Sequence, residues 1–593
     1  MSLTTCRTLH LSTPVQRTYL EPITAAPVEM PDILLVQPPI RDFYLTAKRT
    51  LPYGLACIAA GLEKEGFSVE ILDALATSRS RDIALPENMK YLKEFYGCAD
   101  RSPFALFHRY RHYGYSFEHL AQKAAQSGAF LVGISSLFTA YSGEALETAQ
   151  RIKAALPSCA IVMGGHHPTE LPESIMQCPQ VDYVIRGDGE HALPRLAQAL
   201  RDGRSPLNVP GIVLRAADGT LHISGPARLE DLNDFPLPAT HLIRHRHYRR
   251  GKRGSAVVVA SRGCPMRCSY CSMRRSDERT YCRRPLASIL AEIECAVERD
   301  GTGFIDFEDE NLTLDRRWFA GLLSGITTRF GNAGLELRAM NGLFPLSLDD
   351  DVIAAMAAAG FKTLNLSLGS SSPEQLKKFQ RPDVRAAFDA ALASAQQYNL
   401  QCVGYVIAGA PQQSATASVA DLLFLAERRV LAGVSIFYPA PGSPDYRLCE
   451  QLGLLPSDFA LMRSSALPIS HTTDRQQSST LLRLGRALNF MKSLLDQGAG
   501  LPEPQDFKTG VALNPENRRA AGVQLLRWFL SDGQIRGVDS RGKIYRHNIS
   551  TALTHMFLDG LRQINLKGCV LRRTDGSKRQ YHCESKPVRR SNM

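Results

Sequence analysis

The chain has 593 residues, 44% of them hydrophobic, and a net charge of +12. At this length one core cannot serve the whole chain, and about three or four domains are expected. No apolar run reaches the roughly 18 to 20 residues of a membrane span, and Met1 to Met30 has neither the apolar stretch nor the small-residue cleavage site of a secretory signal, so a cytoplasmic protein is expected. The 14 cysteines are scattered without a short-range disulfide framework, apart from one tight trio that calls for a reducing compartment. The charge is uneven: from Gln451 to Met593 there are 22 Lys and Arg against 11 Asp and Glu.

In chain order, residues 1–30 are rich in Thr, Pro and Ser, show no periodicity and read as an extension. Ile33-Leu34-Leu35-Val36 is a short apolar run stopped by Gln37-Pro38-Pro39, a strand entering a loop. Pro52-Tyr53-Gly54 opens a helix predicted over 55–64, and Gly66-Phe67 closes it before a strand over 68–72. After a variable segment, 76–127, the alternation resumes with a strand over 130–134, a helix over 143–155 and a strand over 160–163 that ends in Gly164-Gly165-His166-His167-Pro168. A strand over 181–185, the turn Gly187-Asp188-Gly189-Glu190 and a helix over 191–199 complete the series. Strands alternating with helices specify an open parallel sheet, which binds ligands at the carboxyl ends of its strands. Residues 31–205 therefore read as one domain. Residues 206–250 read as a linker, acidic and proline-bearing at 230–240, and a basic run with three histidines and six Arg or Lys follows over 241–253.

The apolar run Ala256 to Ala260 and the turn-like Ser261-Arg262-Gly263 lead into Cys264-Pro265-Met266-Arg267-Cys268-Ser269-Tyr270-Cys271. Three thiols so close together, bent by Gly263 and Pro265, converge only from a loop wrapped round a guest, and iron-sulfur clusters are the usual guest of cysteine-only loops. A fourth cysteine would close the site, whereas three leave one iron without a protein ligand. The competing readings are a zinc loop completed by Cys282 or a histidine, and three unligated thiols; Cys282 stands beyond the basic run Arg274-Arg275.

Beyond the trio come a helix predicted over 285–297, a strand over 303–307 and the turn Glu308-Asp309-Glu310-Asn311, followed by strands over 335–340, 363–368, 403–409 and 434–437. Carboxylates just past the carboxyl end of a parallel strand stand where such sheets bind ligands, although the same residues suit a helix cap before Leu312. From 447 onward only helices over 481–495 and 520–529 stand out, as a lid or as packing helices on a flank. The chain then ends in a tail carrying Arg572, Arg573, Lys578, Arg579, Lys586, Arg589 and Arg590. Such a tail reads either as a solvated, partly disordered end or as one that attracts RNA, anionic lipid or an acidic substrate; no aromatic-basic interleaving or nucleic-acid motif accompanies it, so the solvated reading is preferred and nucleic acid is not the favoured partner.

The CxxxCxxC spacing, with Tyr270 before the last cysteine and a buried-strand pattern before the first, resembles the radical S-adenosylmethionine (SAM) superfamily. The resemblance implies that Cys264, Cys268 and Cys271 hold a 4Fe-4S cluster and that the amino and carboxylate groups of SAM chelate its fourth iron. Reductive cleavage, fed by an external donor such as flavodoxin or ferredoxin, would then yield a 5'-deoxyadenosyl radical. Tyr270, Asp309, Glu310, Asn311, Ser370 and Arg381 become candidate residues of the SAM site, the acidic turn near the SAM ammonium. Where many relatives read Glu-Ser-Gly-Ser-Pro, this chain has Gly369-Ser370-Ser371-Ser372-Pro373, which keeps the hydroxyl and lacks the carboxylate.

Residues 31–203 resemble the cobalamin-binding domain that precedes the core in one large subclass. The resemblance rests on the Pro-Pro loop, Ser135-Ser136, Gly164-Gly165 and Gly187-Asp-Gly-Glu190, and makes Ser135, Gly164 and Gly165 candidate cobalamin contacts. The Asp-x-His-x-x-Gly sequence that supplies a cobalt-ligating histidine in many cobalamin enzymes is absent from Gln37-Pro-Pro-Ile-Arg-Asp-Phe-Tyr44. No protein histidine is therefore expected on cobalt, and His166 and His167 read as turn residues. The implied fold is α/β: an N-terminal Rossmann-like parallel sheet domain, a partial (β/α) radical SAM barrel over 251–450 and a mainly helical C-terminal region over 451–593, which is left to govern substrate choice.

Two functions follow from the resemblance. One is methylation of an unactivated carbon or phosphorus of a small-molecule substrate; the other is a cyclisation, oxidation or rearrangement of the anaerobic cyclase type. Methylthio transfer would want a further cysteine cluster, and Cys57, Cys98, Cys159 and Cys178 are too dispersed to form one. A non-catalytic cobalamin sensor ranks last.

Overall fold

The structure is a computed structural model describing residues 30–45, 51–229, 232, 236–273 and 281–564, with the backbone of 571–574 and 578–581. Residues 1–29, most of the acidic stretch at 230–235, Arg274-Arg275 and the side chains of the basic tail lie outside the described residues.

The first unit is built on seven strands: β1 (Ile33–Gln37), β2 (Val69–Asp73), β3 (Leu131–Ser135), β4 (Ala160–Gly164), β5 (Tyr183–Ile185), β6 (Ile212–Arg215) and β7 (Leu221–Ile223). They lie in the order β7-β6-β5-β4-β3-β1-β2; β1 to β5 are parallel, β6 pairs antiparallel with β5, and β7 pairs antiparallel with β6. Helices cover both faces, which is why β1 is apolar without alternation. Ile33 and Leu35 join one core with Leu55, Leu193 and Leu196, while Leu34 and Val36 join the other with Leu120, Ala149 and Ile152. Because β1 has β2 on one side and β3 on the other, the loops leaving β1 and β3 diverge and open a crevice at the carboxyl edge.

The predicted strands and helices of this unit appear within one or two residues of their expected bounds. Two stretches differ. β6 and β7 extend the sheet through part of what reads as linker, and the variable segment is ordered. Its Arg111–Tyr113 and Ser80–Asp82 form a small antiparallel sheet with Ile40–Asp42 from the loop after β1, and its helix Phe117–Ser127 is capped by Ser116 and ended by Gly128 in the left-handed conformation. Strands of three residues carry too little periodicity to be read from sequence.

The second unit is the partial barrel, with strands β8 (Arg253–Val258), β9 (Thr302–Phe307), β10 (Glu336–Arg338), β11 (Thr363–Gly369), β12 (Gln401–Ala408) and β13 (Leu431–Ile436). β8-β9-β10 and β11-β12-β13 are parallel ladders joined by the single parallel bridges Leu337 to Phe361 and Leu343 to Leu366. The helix Arg475–Asp496 lies along β13, where a Cβ on Gly485 would stand 2.8 Å from Val434, and its Leu481, Leu484 and Leu488 enter the barrel core. It is a flank helix, and the alternative of a lid over the mouth falls for it. The helix Arg518–Asp532 buries Trp528 edge-on against Phe507. Buried Arg483 donates to the carbonyls of Phe95 (2.8 Å) and Phe104 (3.2 Å), tying the ordered insertion to the C-terminal region. Among the described residues no helix is long and apolar enough to cross a membrane.

Candidate active site between the sheet and the barrel

The cysteine loop leaves β8 through a narrow neck, in which Ser261–Arg262 pairs antiparallel with Cys282–Arg283. Asp309, on the turn after β9, fixes this neck. Its carboxylate accepts from the Ala260 N–H (3.1 Å), the Ser261 N–H (2.5 Å) and the Ser261 hydroxyl (2.6 Å), and burial, resisted by these bonds, pushes its carboxyl up to about 7. Glu310 accepts from the Gly263 N–H (3.1 Å), and the Asn311 amide lies 3.7 Å from Cys264 Sγ. At the far end the Ser269 N–H donates to the Phe379 carbonyl (3.0 Å) and the Ser269 hydroxyl to Asp445 (3.0 Å). Tyr270 packs edge-on against Phe379 and accepts from Arg381 (2.7 Å), which also donates to the Ser367 carbonyl (2.8 Å).

Cys264, Cys268, Cys271, Tyr270, Glu310, Asn311 and Arg381 thus gather at one end of the barrel. Asp309 and Ser370 differ from expectation, because both are turned inward. Asp309 is spent on the neck. Ser370 is fully buried and donates to Asp421 (2.9 Å), which also accepts from the Ser371 N–H (2.5 Å) and hydroxyl (2.6 Å). A buried carboxylate is the strongest acceptor within reach of these hydroxyls. Asp421 itself was missed; the available signal was an acid in the middle of the apolar run of the helix Ala415–Glu427.

The thiols form an all-sulfur donor set. Burial raises Cys264 and pushes Cys271 up to about 11, so binding a metal would release their protons. Among the described residues no three His, Cys, Asp or Glu side chains close round a single ion. An all-sulfur set of three neighbouring thiols on one short loop suits an iron-sulfur cluster by its donor chemistry. Inside the barrel Arg338 pairs with Asp306 (2.8 Å), Asn365 donates to the Ala339 carbonyl (3.1 Å) and Tyr405 donates to Asn365 (3.3 Å). This polar lumen was also missed. Its trace in the sequence is a charged or amide residue at the inward position of an otherwise apolar strand.

At the crevice of the sheet, Ser135 and Gly164 are direct partners at the ends of β3 and β4. Gly165 has φ +119°, and a Cβ there would lie 2.6 Å from the Ser136 carbonyl, so the chain's own packing demands glycine. Gly164 is different: a Cβ would meet only the Ile185 carbonyl at 3.6 Å, which leaves room beside the strand ends. The Ser136 hydroxyl is buried with no hydrogen-bond partner among the described residues. Orphaned polarity beside open space fits a polar ligand segment. His167 is buried, shares a hydrogen bond with Ser174 (3.2 Å) and lies edge-on to Phe459; burial lowers its pKa to about 4, so the ring is neutral at pH 7.

An irregular segment, 456–473, joins the two openings. Arg463 donates to the carbonyls of Arg41 (2.8 Å) and Ala140 (2.9 Å), in the loops after β1 and β3. Ser464 donates to the Ile436 carbonyl (2.6 Å) at the end of β13, and Thr472 and Thr473 donate to the Gln413 carbonyl (2.8 and 3.0 Å) in the loop after β12. The carboxyl ends of both parallel sheets are therefore apposed.

Two family models match the chain: B12 binding domain over residues 105–197 and Radical SAM superfamily over residues 258–417. The chain is 25% identical over 458 residues to an uncharacterized methyltransferase of Pyrococcus horikoshii, covering 76% of this chain and 90% of that protein. It is 24% identical over 470 residues to the cytidylyl-2-hydroxyethylphosphonate methyltransferase of Streptomyces wedmorensis, covering 73% and 84%. In fold it is similar to the radical S-adenosylmethionine methyltransferase TsrM of Kitasatospora setae, solved with cobalamin and a 4Fe-4S cluster bound. The TM-score is 0.58 at 18% identity, over 78% of this chain and 96% of that one.

Proposed function

Because the chain belongs to the radical SAM superfamily and carries a B12 binding domain ahead of the radical SAM domain, we propose that it is a cobalamin-dependent radical SAM methyltransferase acting on an unactivated carbon or phosphorus of a small molecule. The observation that carries this reading is the apposition of the sheet crevice and the barrel mouth, bridged by 456–473. Methyl transfer is preferred to ring formation or oxidation because the two relatives matched along most of their length are named as methyltransferases.

When bound, the cluster would supply the electron that cleaves SAM, and the corrinoid a transferable methyl group. Cys264, Cys268 and Cys271 are the cluster ligands in this reading. Glu310 and Asn311, beside Gly263 and Cys264, would accept from the SAM ammonium. Asp309 and Asp421 act as positioning residues, the first on the neck of the cysteine loop and the second on the serine loop after β11. Arg381 holds Tyr270, and with it the end of the cysteine loop. Ser135, Gly164 and Gly165, with the Ser136 hydroxyl, would hold the corrinoid, while His167 is engaged by Ser174 and Phe459. The substrate would enter the polar lumen of Arg338, Asn365 and Tyr405. A flavodoxin- or ferredoxin-type donor would approach from the outer side of the loop, where Pro265 and Arg267 are exposed.

The test is anaerobic reconstitution with iron, sulfide and cobalamin, then incubation with methyl-labelled SAM, a reductant and extract of the source cells. Expected are about four irons per chain, a corrinoid absorption spectrum, 5'-deoxyadenosine and label in an extract metabolite. SAM cleavage by a chain that takes up no corrinoid would refute the reading.

A further inference from the structure

The turn Gly187-Asp188-Gly189-Glu190 has no chemical role in the reading above, yet it makes a direct contact between the two units. Arg262, in the neck of the cysteine loop, pairs with Glu190, and its other amino group lies 3.5 Å from Asp188. The Glu190 carboxylate is buried, and the Arg262 guanidinium is only 28% exposed, so the pair sits largely out of water. The turn is rigid on its own side. Gly187 has φ +82° and bridges Ala227, whose carbonyl also accepts from the Asp188 N–H (3.0 Å); Asp188 accepts in turn from the Leu229 N–H (2.9 Å). The Glu190 carbonyl is pressed against Gly61 so closely that a Cβ there would stand 2.4 Å away. Both carboxylates are therefore presented from a fixed frame. A second tie lies close by: Tyr53, on the helix Tyr53–Lys64, accepts from the Val259 N–H (3.3 Å) and from Arg284 (3.2 Å), and Arg284 pairs with Glu292 (2.5 Å).

We propose that Arg262, gripped by Glu190 and Asp188, is a positioning residue that fixes the spacing between the cysteine loop and the carboxyl edge of the N-terminal sheet. In the methyltransferase reading, on which this inference rests, the clamp sets the distance between the corrinoid and the SAM site. It therefore governs how much of the SAM cleaved ends in methyl transfer rather than how fast SAM is cleaved. A planar fork between two carboxylates fixes direction as well as distance, which a lysine ammonium does not.

Glu190→Gln keeps the shape of the turn and removes its charge, and Arg262→Lys keeps the charge and loses the fork. In the chain free of cofactors, amide hydrogen exchange in peptides spanning 186–193 and 258–264 is expected to quicken together in Glu190→Gln, by about tenfold, with β9 unchanged. In the reconstituted enzyme, Glu190→Gln is expected to keep iron, corrinoid and 5'-deoxyadenosine formation within about twofold of wild type. Methyl transferred per SAM cleaved should fall about tenfold or more. The spin coupling between reduced cluster and cobalt(II), read as line broadening in electron paramagnetic resonance, should change with it, and Arg262→Lys should fall in between. Should either single variant misfold, Arg262→Met with Glu190→Leu removes the buried pair together and leaves the partly exposed Asp188 on the Leu229 N–H, and the same loss of coupling is expected. Exchange that quickens in one segment only, or spin coupling that stays at the wild-type value in the variants, overturns the clamp. A wild-type chain that takes up no corrinoid overturns the proposed function instead, and the exchange experiment then decides the clamp alone.

Discussion

Replacing Glu144 by glutamine should stabilise the protein above neutral pH and change little near pH 4. Glu144 stands in the first turn of the helix Ser142–Ala155, just past the loop that follows β3, and is 6% exposed. Its main attractive cation is Arg463, whose guanidinium is already engaged by the carbonyls of Arg41 and Ala140. Burial outweighs that attraction and pushes the carboxyl from its ordinary 4.5 to about 7. The native state therefore binds a proton that the unfolded chain releases between these two values. The associated stability is complete below pH 4.5 and is lost as pH rises through 7. Over that span the loss amounts to about 3 kcal/mol. Glutamine has the same shape and never ionises, so the advantage of the variant should grow with pH and level off above 7. For a unit of this size each kcal/mol moves the midpoint by about 2–4 °C, which gives about 6–12 °C at pH 8. Thermal unfolding of both proteins by circular dichroism at pH 5, 6, 7 and 8 measures this directly. An offset that is the same at every pH, or a wild type that is the more stable at pH 8, would show that Glu144 is ionised in the native state and that the argument from burial is wrong.

Changing Cys264, Cys268 and Cys271 to Ala together should remove iron and SAM cleavage while leaving the corrinoid spectrum in place; full iron content in the triple variant would sink the cluster assignment. Gly165→Ala should cost about 2–3 kcal/mol, because the new Cβ meets the Ser136 carbonyl at 2.6 Å in a left-handed backbone. Gly164→Ala should leave unfolding unchanged and weaken corrinoid uptake, so equal effects of the two in denaturant titration would contradict the distinction drawn between them. Asp421→Ala strands the Ser371 N–H, the buried Ser370 hydroxyl and the half-buried Ser371 hydroxyl and should destabilise by about 2–4 kcal/mol. Asp421→Asn, which keeps one acceptor, should lose less and mainly weaken SAM binding, which equilibrium dialysis would measure.

The sequence by itself determined what depends on neighbouring residues. The unbroken Ile33 to Val36 announces a strand covered on both faces, the alternation of strand and helix announces parallel sheets, and glycine turns mark where their carboxyl ends lie. The cysteine loop was legible for the same reason, since its spacing and bends are written within eleven residues. The short strands of the insertion and the added β6 and β7 were not, because three or four residues hold no period and their pairing partners lie far along the chain. Only the tertiary structure decided which acids serve the site and which serve the frame. Asp309 and Ser370 sit where a mouth-facing role was expected, yet each turns to the strongest unpaired partner nearby, and that choice is set by burial. The same holds for Tyr270 with Arg381, 111 residues apart, and for Arg262 with Glu190, 72 residues apart. A charge withdrawn from water must find its partner wherever the fold brings one, and no local pattern records where that will be.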